Sequence, residues 1–417
     1  MIKRLLPAIL FLVSSFLNAQ SNQQLIKENA PSVFINCWFC NLNFIKEQIP
    51  IVNYVNDRKD ADINILFTSE KTGSGGYERT AIFYGQNSFE GKNDTLKFST
   101  LPNESENVIR EKTVETLKLG LISYVTKSPI ADKIIITFKT PEKVETKEED
   151  PWDFWVFNLG LNGFFNGEEM YDYLSLYGTV SASRVTEAGK LLIRFSGSYN
   201  ENNYKYNSDD GIINYKSLSR QYNFYAHNYF SIDEHWSWGI STNIFKSTYS
   251  NIDFSGRLSP EIEYNFFPYA ESNKRQLRLD YKISPTYNNY ASETIFFKTE
   301  ETLVIQQLSA TLALIEQWGS TSISISGSNY FHDMNKYQIE IHSDISWQLF
   351  RGFSLNLYGG YSKIKNQISL AKGNASLEEV LLQRRQLETE YSFWGSIGIS
   401  YSFGSIYNNI VNPRFGN

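Results

Sequence analysis

Two cysteines at the spacing C-x-x-C, Cys37 and Cys40, are the first candidates for chemistry in this chain. Thiol oxidoreductases use this spacing, and in an exported protein the same pair closes a small disulfide loop. A zinc site would need two further ligands nearby, yet no histidine precedes His227. The surrounding sequence shows no thioredoxin-like β-α-β pattern, so we expect a structural disulfide or two free thiols. Redox or metal chemistry is the alternative.

A second candidate is the trio His342, Asp344 and Ser346, which recur at every second position of one segment. Serine, histidine and a carboxylate are the components of a nucleophilic hydrolase site. Here all three would lie on one face of one strand, and neither a G-x-S-x-G elbow nor a metal-binding triad accompanies them. We therefore expect a polar surface, with no catalytic residue, metal site or cofactor, and a hydrolase is the alternative.

A third candidate is the glycine-rich segment from Lys71 to Tyr77. It lacks the G-K-S/T ending of a phosphate-binding loop, and strand-like rather than helical sequence follows it. The segment is therefore predicted to be a hairpin turn.

The start of the chain is typical of a secretory signal peptide. Lys3 and Arg4 precede the apolar run Leu5–Phe16, and Ala19 offers a small residue for cleavage. The apolar run is too short to span a membrane as a helix. Residues 1–19 are therefore predicted to be removed after export.

Residues 20–139 alternate strand-like segments with two helical ones, which predicts a small α+β domain. The longer helix is expected to open after Pro102 and Asn103, and a last strand is expected at 133–139. Residues 140–151 carry mixed charges between two prolines, which is typical of a solvated linker.

Residues 152–404 form a series of alternating segments that predicts an antiparallel β-structure of twelve strands. Each segment has an apolar and a polar face, which fits a transmembrane strand of about 9–11 residues. The predicted strands centre on 155–165, 174–185, 191–199, 222–230, 236–245, 261–269, 276–284, 306–317, 322–331, 337–349, 353–362 and 393–403.

The connections between these segments alternate in length, short at 186–190 or 318–321 and long at 200–221 or 285–305. The connection at 332–336 is an exception, because it is short on the long-loop side. Short turns on one side and long loops on the other are typical of outer-membrane barrels. An even strand number places both ends of the barrel on the short-turn, periplasmic side. Pro260 and Pro285 are expected at the outer rim, where strands end.

The composition fits the same interpretation. Aromatic residues make up 15% of the chain, with 27 Tyr and 29 Phe, while the mean hydropathy is negative. Many aromatic residues without long apolar runs suit the girdles of a lipid-facing barrel. The net charge is −6 with no basic block, so we expect no nucleic-acid partner. A soluble, secreted β-rich binding protein is the alternative.

Alternation places a set of charged or titratable side chains on the inner face of the predicted barrel. A charge on the lipid side would cost about 2–4 kcal/mol at the bilayer midplane, so inward placement supports this register. Mixed signs suit a narrow, filled lumen, and charges that line a small pore are the alternative. The inward residues are Arg194, Glu261, Glu263, Arg278, Asp280, Lys282, Glu340, His342 and Asp344.

The last alternating segment carries a second pattern, formed by Ser396, Gly398 and the aromatic residues Tyr401 and Phe403. This pattern resembles the β-signal that the barrel-assembly machinery reads when it inserts outer-membrane barrels. The resemblance implies that this machinery and outer-membrane lipid are partners. Residues 405–417 follow the signal and are expected to fold back as a periplasmic tail.

The stretch from Ile51 to Asp62 and the turn from Thr72 to Gly76 resemble an uncharacterised family of outer-membrane β-barrel proteins from Bacteroidota. The step Asp60-Ala-Asp62 before an apolar strand is similar to the amino-terminal domains of TolB-like and curli-secretion-like proteins. The family resemblance spans nearly the whole chain and implies no catalytic residues. We expect a non-enzymatic narrow channel or envelope scaffold, whose periplasmic domain binds a protein partner.

Overall fold

The computed structural model describes residues 27, 29–73, 75–135, 151–186, 188–208, 211–373, 385–409, 411 and 414. These residues form two β-sheets, one of five strands and one of twelve. The predicted signal peptide and the predicted linker, except for Pro151, lie outside the described residues. No helix in the described part of the chain is both long and apolar enough to cross a membrane.

The five-stranded sheet and two helices make up the N-terminal domain. Its sheet has the order β2-β1-β3-β4-β5, in which β1 is parallel to β2 and β3 while the other pairs are antiparallel. The elements are β1 (Ser32–Asn36), helix α1 (Leu42–Gln48), β2 (Asn53–Tyr54), β3 (Ile63–Lys71), β4 (Tyr77–Gly85), β5 (Asn93–Thr100) and helix α2 (Glu106–Val125).

Helix α2 covers one face of this sheet. It begins at Glu106, later than expected, because the Ser105 hydroxyl accepts a hydrogen bond from the Val108 N–H and caps the first turn. Its apolar stripe, including Leu117 and Leu121, is buried against the sheet. The strand expected at 133–139 is not found in its described part, where a 3-10 turn spans Ala131–Lys133; residues 136–139 lie outside the described residues.

The glycine-rich segment forms the β3–β4 hairpin turn, as its sequence predicts. Gly75 has φ of +79° there, a left-handed conformation that favours glycine. The Gly75 N–H donates to the Thr72 carbonyl at 2.9 Å and closes the turn.

The second sheet contains twelve strands that follow one another in chain order, each antiparallel to its neighbours. This confirms the expected strand number. The strands are β6 (Trp155–Glu168), β7 (Tyr171–Val185), β8 (Gly189–Ser208), β9 (Gly211–Ser231), β10 (Trp236–Ser247), β11 (Ile252–Asn265), β12 (Arg275–Tyr290), β13 (Glu300–Glu316), β14 (Gly319–Tyr330), β15 (Asp333–Phe350), β16 (Phe353–Ile364) and β17 (Tyr391–Tyr401). The sheet is not closed, since β6 pairs only with β7 and β17 only with β16.

Several strands extend further on the long-loop side than the sequence predicts. The expected loop at 200–221 is largely strand, because β8 reaches Ser208 and β9 starts at Gly211. The sequence there is rich in Tyr and Asn on both faces, so its alternation of apolar and polar residues is lost while the backbone ladder continues.

The placement of Pro260 and Pro285 at strand ends was wrong, because both lie inside strands, β11 and β12. Proline has no N–H to donate, and the β11–β12 ladder is interrupted between Arg257↔Thr286 and Glu261↔Lys282. Inside this gap the hydroxyls of Ser259 and Ser284 lie 2.8 Å apart and share a hydrogen bond. A side-chain contact thus replaces the missing backbone pairing.

The last strand ends earlier than predicted. Ser396 and Gly398 lie within β17, and Tyr401 is its final residue, paired with Phe353. Phe403 lies beyond the strand and stacks on Tyr401 with ring centroids 5.5 Å apart. Only the first three residues of the proposed assembly signal are therefore in the ladder.

Candidate functional site

The twelve-stranded sheet exposes large apolar side chains and buries small polar ones. On β11 and β12, Leu258 and Ile283 are exposed while their chain neighbours Ser259 and Ser284 are buried. A sheet that packs on a water-soluble core shows the reverse pattern, with its apolar face buried. Further buried polar residues of this sheet are Ser217, Ser247, Ser255, Asn265, Thr286, Asn288, Ser309 and Thr321.

Five of the nine predicted inward residues meet on β11 and β12. Glu261 pairs with Lys282 across the ladder, and Glu263 pairs with Asp280. The Nε of Arg278 lies 3.5 Å from Glu263 Oε2. Glu263 also accepts a hydrogen bond of 2.9 Å from the Tyr269 hydroxyl. Adjacent charges of both signs therefore form one polar cluster near the short turns, and a cavity of about 610 Å³ borders it.

An aromatic pair lies beside the same cavity, which Tyr229 lines. The rings of His227 and Tyr229 on β9 stack with centroids 4.2 Å apart. Gly239 of β10 lies opposite Tyr229, where a Cβ would come within 2.2 Å of the tyrosine ring, so glycine makes room for it. His227 is buried, and neither ring nitrogen has a hydrogen-bond partner among the described residues. The sequence pattern does not reveal this stacking.

The other predicted inward residues lie apart from this cluster. Arg194 faces Tyr225 across the β8–β9 ladder. Glu340, His342 and Asp344 lie opposite serines of β14, and the His342 ring is 6.2 Å from the Trp394 ring. The hydrolase trio does not assemble, because the Ser346 hydroxyl donates to Asn356 Oδ1 at 2.8 Å.

The N-terminal domain contacts the short-turn end of the large sheet through a buried carboxylate. Asp57 Oδ2 accepts a hydrogen bond of 2.6 Å from the Gly352 N–H and one of 3.2 Å from Gln348 Nε2, both at the β15–β16 turn. Arg351 of the same turn forms an ion pair of 2.7 Å with Asp60. Asp57 is 4% exposed, so these bonds form away from water.

Further contacts extend this junction along the sheet. Gln317, at the β13–β14 turn, accepts a hydrogen bond of 3.1 Å from Asn64 Nδ2. Ser272, at the β11–β12 turn, donates to Glu70 at 3.2 Å. Ser183, near the end of β7, donates to the Gly73 carbonyl at 3.0 Å. The domain therefore reaches turns from β7 to β16.

Residues after the large sheet return to the N-terminal domain. The Asn56 N–H donates to the Ile406 carbonyl at 2.9 Å, and the Asn408 N–H donates to the Tyr54 carbonyl at 2.8 Å. These bonds add the tail antiparallel beside β2, with a bridge between Val55 and Tyr407. Burial raises the pKa of the Tyr54 hydroxyl, which donates to the Ile49 carbonyl at 3.0 Å.

Cys37 and Cys40 form a disulfide bond. They lie between β1 and α1, and α1 leads to β2, which is parallel to β1. The cysteines therefore lie within a short β-α-β unit, which the sequence does not indicate because a strand of two residues such as β2 leaves no periodic signal. Within the described chain no group of three or more His, Cys, Asp or Glu residues is placed to hold a metal ion.

Sequence reasoning missed the junction residues. Asp57, Gln317 and Gln348 lie in turns or at strand ends, where periodicity carries no information. Asp57 has no sequence signal, and the only signal for Gln317 and Gln348 is that each is a glutamine near a short turn.

No protein-family model matches this chain. No curated protein matches it significantly either.

Proposed function

We propose that this chain is a non-enzymatic outer-membrane β-barrel protein, a narrow channel whose periplasmic mouth is covered by its own N-terminal domain. One observation carries the proposal: the twelve-stranded sheet has exposed apolar side chains on one face and buried polar side chains on the other. Exposed Leu and Ile side chains are stable when they face lipid, and polar side chains on the other face suit the interior of a barrel.

Closure of the barrel is part of this proposal. The two edge strands, β6 and β17, would pair antiparallel, because an even number of strands alternates in direction. Apolar side chains on both edges, such as Leu159 and Ile397, are strongly exposed and would then face lipid together. Unpaired edge strands leave backbone N–H and C=O groups without partners, which is costly in a bilayer.

The junction with the N-terminal domain supports the covering role. Its contacts lie at the short-turn ends of strands from β7 to β16, which is the periplasmic side of an outer-membrane barrel. The domain is then held across the mouth and is free on its opposite side to bind a periplasmic protein.

A conductance measurement tests this function. We expect the purified full chain to show low conductance in planar lipid bilayers. The double variant Asp57→Ala/Arg351→Gln removes two hydrogen bonds and one ion pair of the junction, and we expect it to conduct more. Asp94→Ala, an exposed carboxylate of the same domain, is the matched control and should behave as wild type.

If neither the wild type nor the double variant conducts, the chain is a scaffold rather than a channel. If the chain washes off membranes and hydrolyses lipid or ester substrates, the barrel proposal fails.

A further inference from the structure

The N-terminal domain contains a cleft away from its junction with the large sheet. The cleft has a volume of about 470 Å³ and lies between the disulfide loop and helix α2. Its walls include Trp38 and Phe39 of the loop, Arg79 of β4, and Ile109 and Arg110 of α2. Ligand clefts have volumes of about 300–1,000 Å³. None of these residues takes part in the junction contacts described above.

Arg79 is the unusual residue of this cleft. The residue is 6% exposed, and Nε and Nη1 have no hydrogen-bond partner among the described residues. The guanidinium lies over the Phe39 ring, 3.7 Å from its centroid, which holds its plane in one orientation. A buried charged group normally has a hydrogen-bonded partner of opposite charge. Arg79 is therefore prepared for an anion that enters the cleft.

The other charges and the walls restrict the kind of anion. Arg110 lines the cleft and adds a second positive charge there. Its side chain lies over the Phe44 ring and donates to Asn107 Oδ1. Glu106 is the one carboxylate among the lining residues, and it is exposed. Trp38 is 78% exposed and offers an apolar surface beside Cys40. An anion with an apolar group attached fits these walls better than a small hydrated ion.

We propose that this cleft binds the C-terminal carboxylate of a peptide with an apolar last residue. The planar fork of Arg79 would pair with the two carboxylate oxygens, a geometry in which arginine binds more strongly than lysine. The apolar side chain would lie against Trp38 and Ile109. The inference deepens the proposed function, since it locates the partner site on the N-terminal domain.

Binding to the purified full chain tests the proposal. The probes are N-acetyl-Leu-Phe as the free acid, the same peptide as its C-terminal amide, and inorganic phosphate, each titrated by calorimetry. We expect the acid to bind at least about tenfold more tightly than the amide, the difference that one charge-assisted pair supplies. Phosphate should not displace the acid at equal concentration.

Two variants and a control locate the site. Arg79→Gln should abolish the preference for the acid. Arg79→Lys should retain only part of the wild-type preference, because lysine keeps the charge without the planar fork. Lys118→Gln removes an exposed positive charge from the same helix as Arg110 and should leave binding unchanged. Near-ultraviolet circular dichroism checks folding, and Arg110→Gln is the substitute if Arg79→Gln does not fold.

Equal affinity for acid and amide would overturn the proposal, as would an unchanged preference in a folded Arg79→Gln. Full displacement by phosphate would also overturn it, since the site would then be a general anion site. Barrel formation is measured separately by electrophoresis, so failure of the barrel and failure of the cleft are distinguishable.

Discussion

Gly120 shows how one residue determines the packing of the N-terminal domain. A Cβ at this position of α2 would lie 2.1 Å from Cζ of the buried Phe83 ring, so only glycine lets the helix approach the sheet this closely. Asp57 plays a comparable role at the junction, where one carboxylate satisfies donors of the neighbouring turn. The sequence gives no signal for either role, because both depend on which residue lies opposite in the fold.

Gly120→Val is expected to destabilise the N-terminal domain. The added side chain must displace Phe83 or the helix, and overpacking of this kind costs about 1–3 kcal/mol. Leu119→Val, on the exposed side of the same helix, is the control and should change little. Thermal unfolding of the full chain in detergent, followed by circular dichroism, measures both. A Gly120→Val protein as stable as the control would contradict this packing.

Among the elements, the strands of the large sheet are the best predicted. All twelve were expected, because an apolar and a polar face alternate along each segment. Their outer parts were missed where polar residues occupy both faces, as at the β8–β9 hairpin. The prolines were misplaced because a ladder can be interrupted inside a strand and bridged by side chains such as Ser259 and Ser284. The junction and the cleft were not predicted, since they form between elements distant in sequence.

The orientation of the strands leads to a prediction about neighbouring residues of β14. Ile325 is exposed on the apolar face, while Ser326 lies opposite Glu340 on the polar face. In the proposed barrel, Ile325→Arg would place a charge against lipid, and this should lower the free energy of unfolding by up to about 2–4 kcal/mol. Ser326→Arg, the same substitution one residue along, should cost much less. Urea unfolding in lipid vesicles compares the two, and equal losses would mean that the faces are assigned wrongly.

At the scale of the whole molecule, the segment that follows the large sheet returns to the N-terminal domain. Residues 405–409 pair beside β2, and β2 belongs to the domain that contacts the short turns of the large sheet. An even strand number returns the chain to the side from which it started, so the tail can reach this domain. In the proposed barrel, this domain would cover the lumen on the periplasmic side.

Semi-native electrophoresis of the full chain, extracted from outer membranes, tests the barrel most directly. Closed membrane barrels resist detergent until heated, because every backbone N–H and C=O group of the strands is paired. We expect an unheated sample to migrate ahead of the unfolded chain and to shift to the position of the unfolded chain on boiling. A sample that migrates at the unfolded position with and without heating, and that alkaline carbonate releases from membranes, would contradict the account.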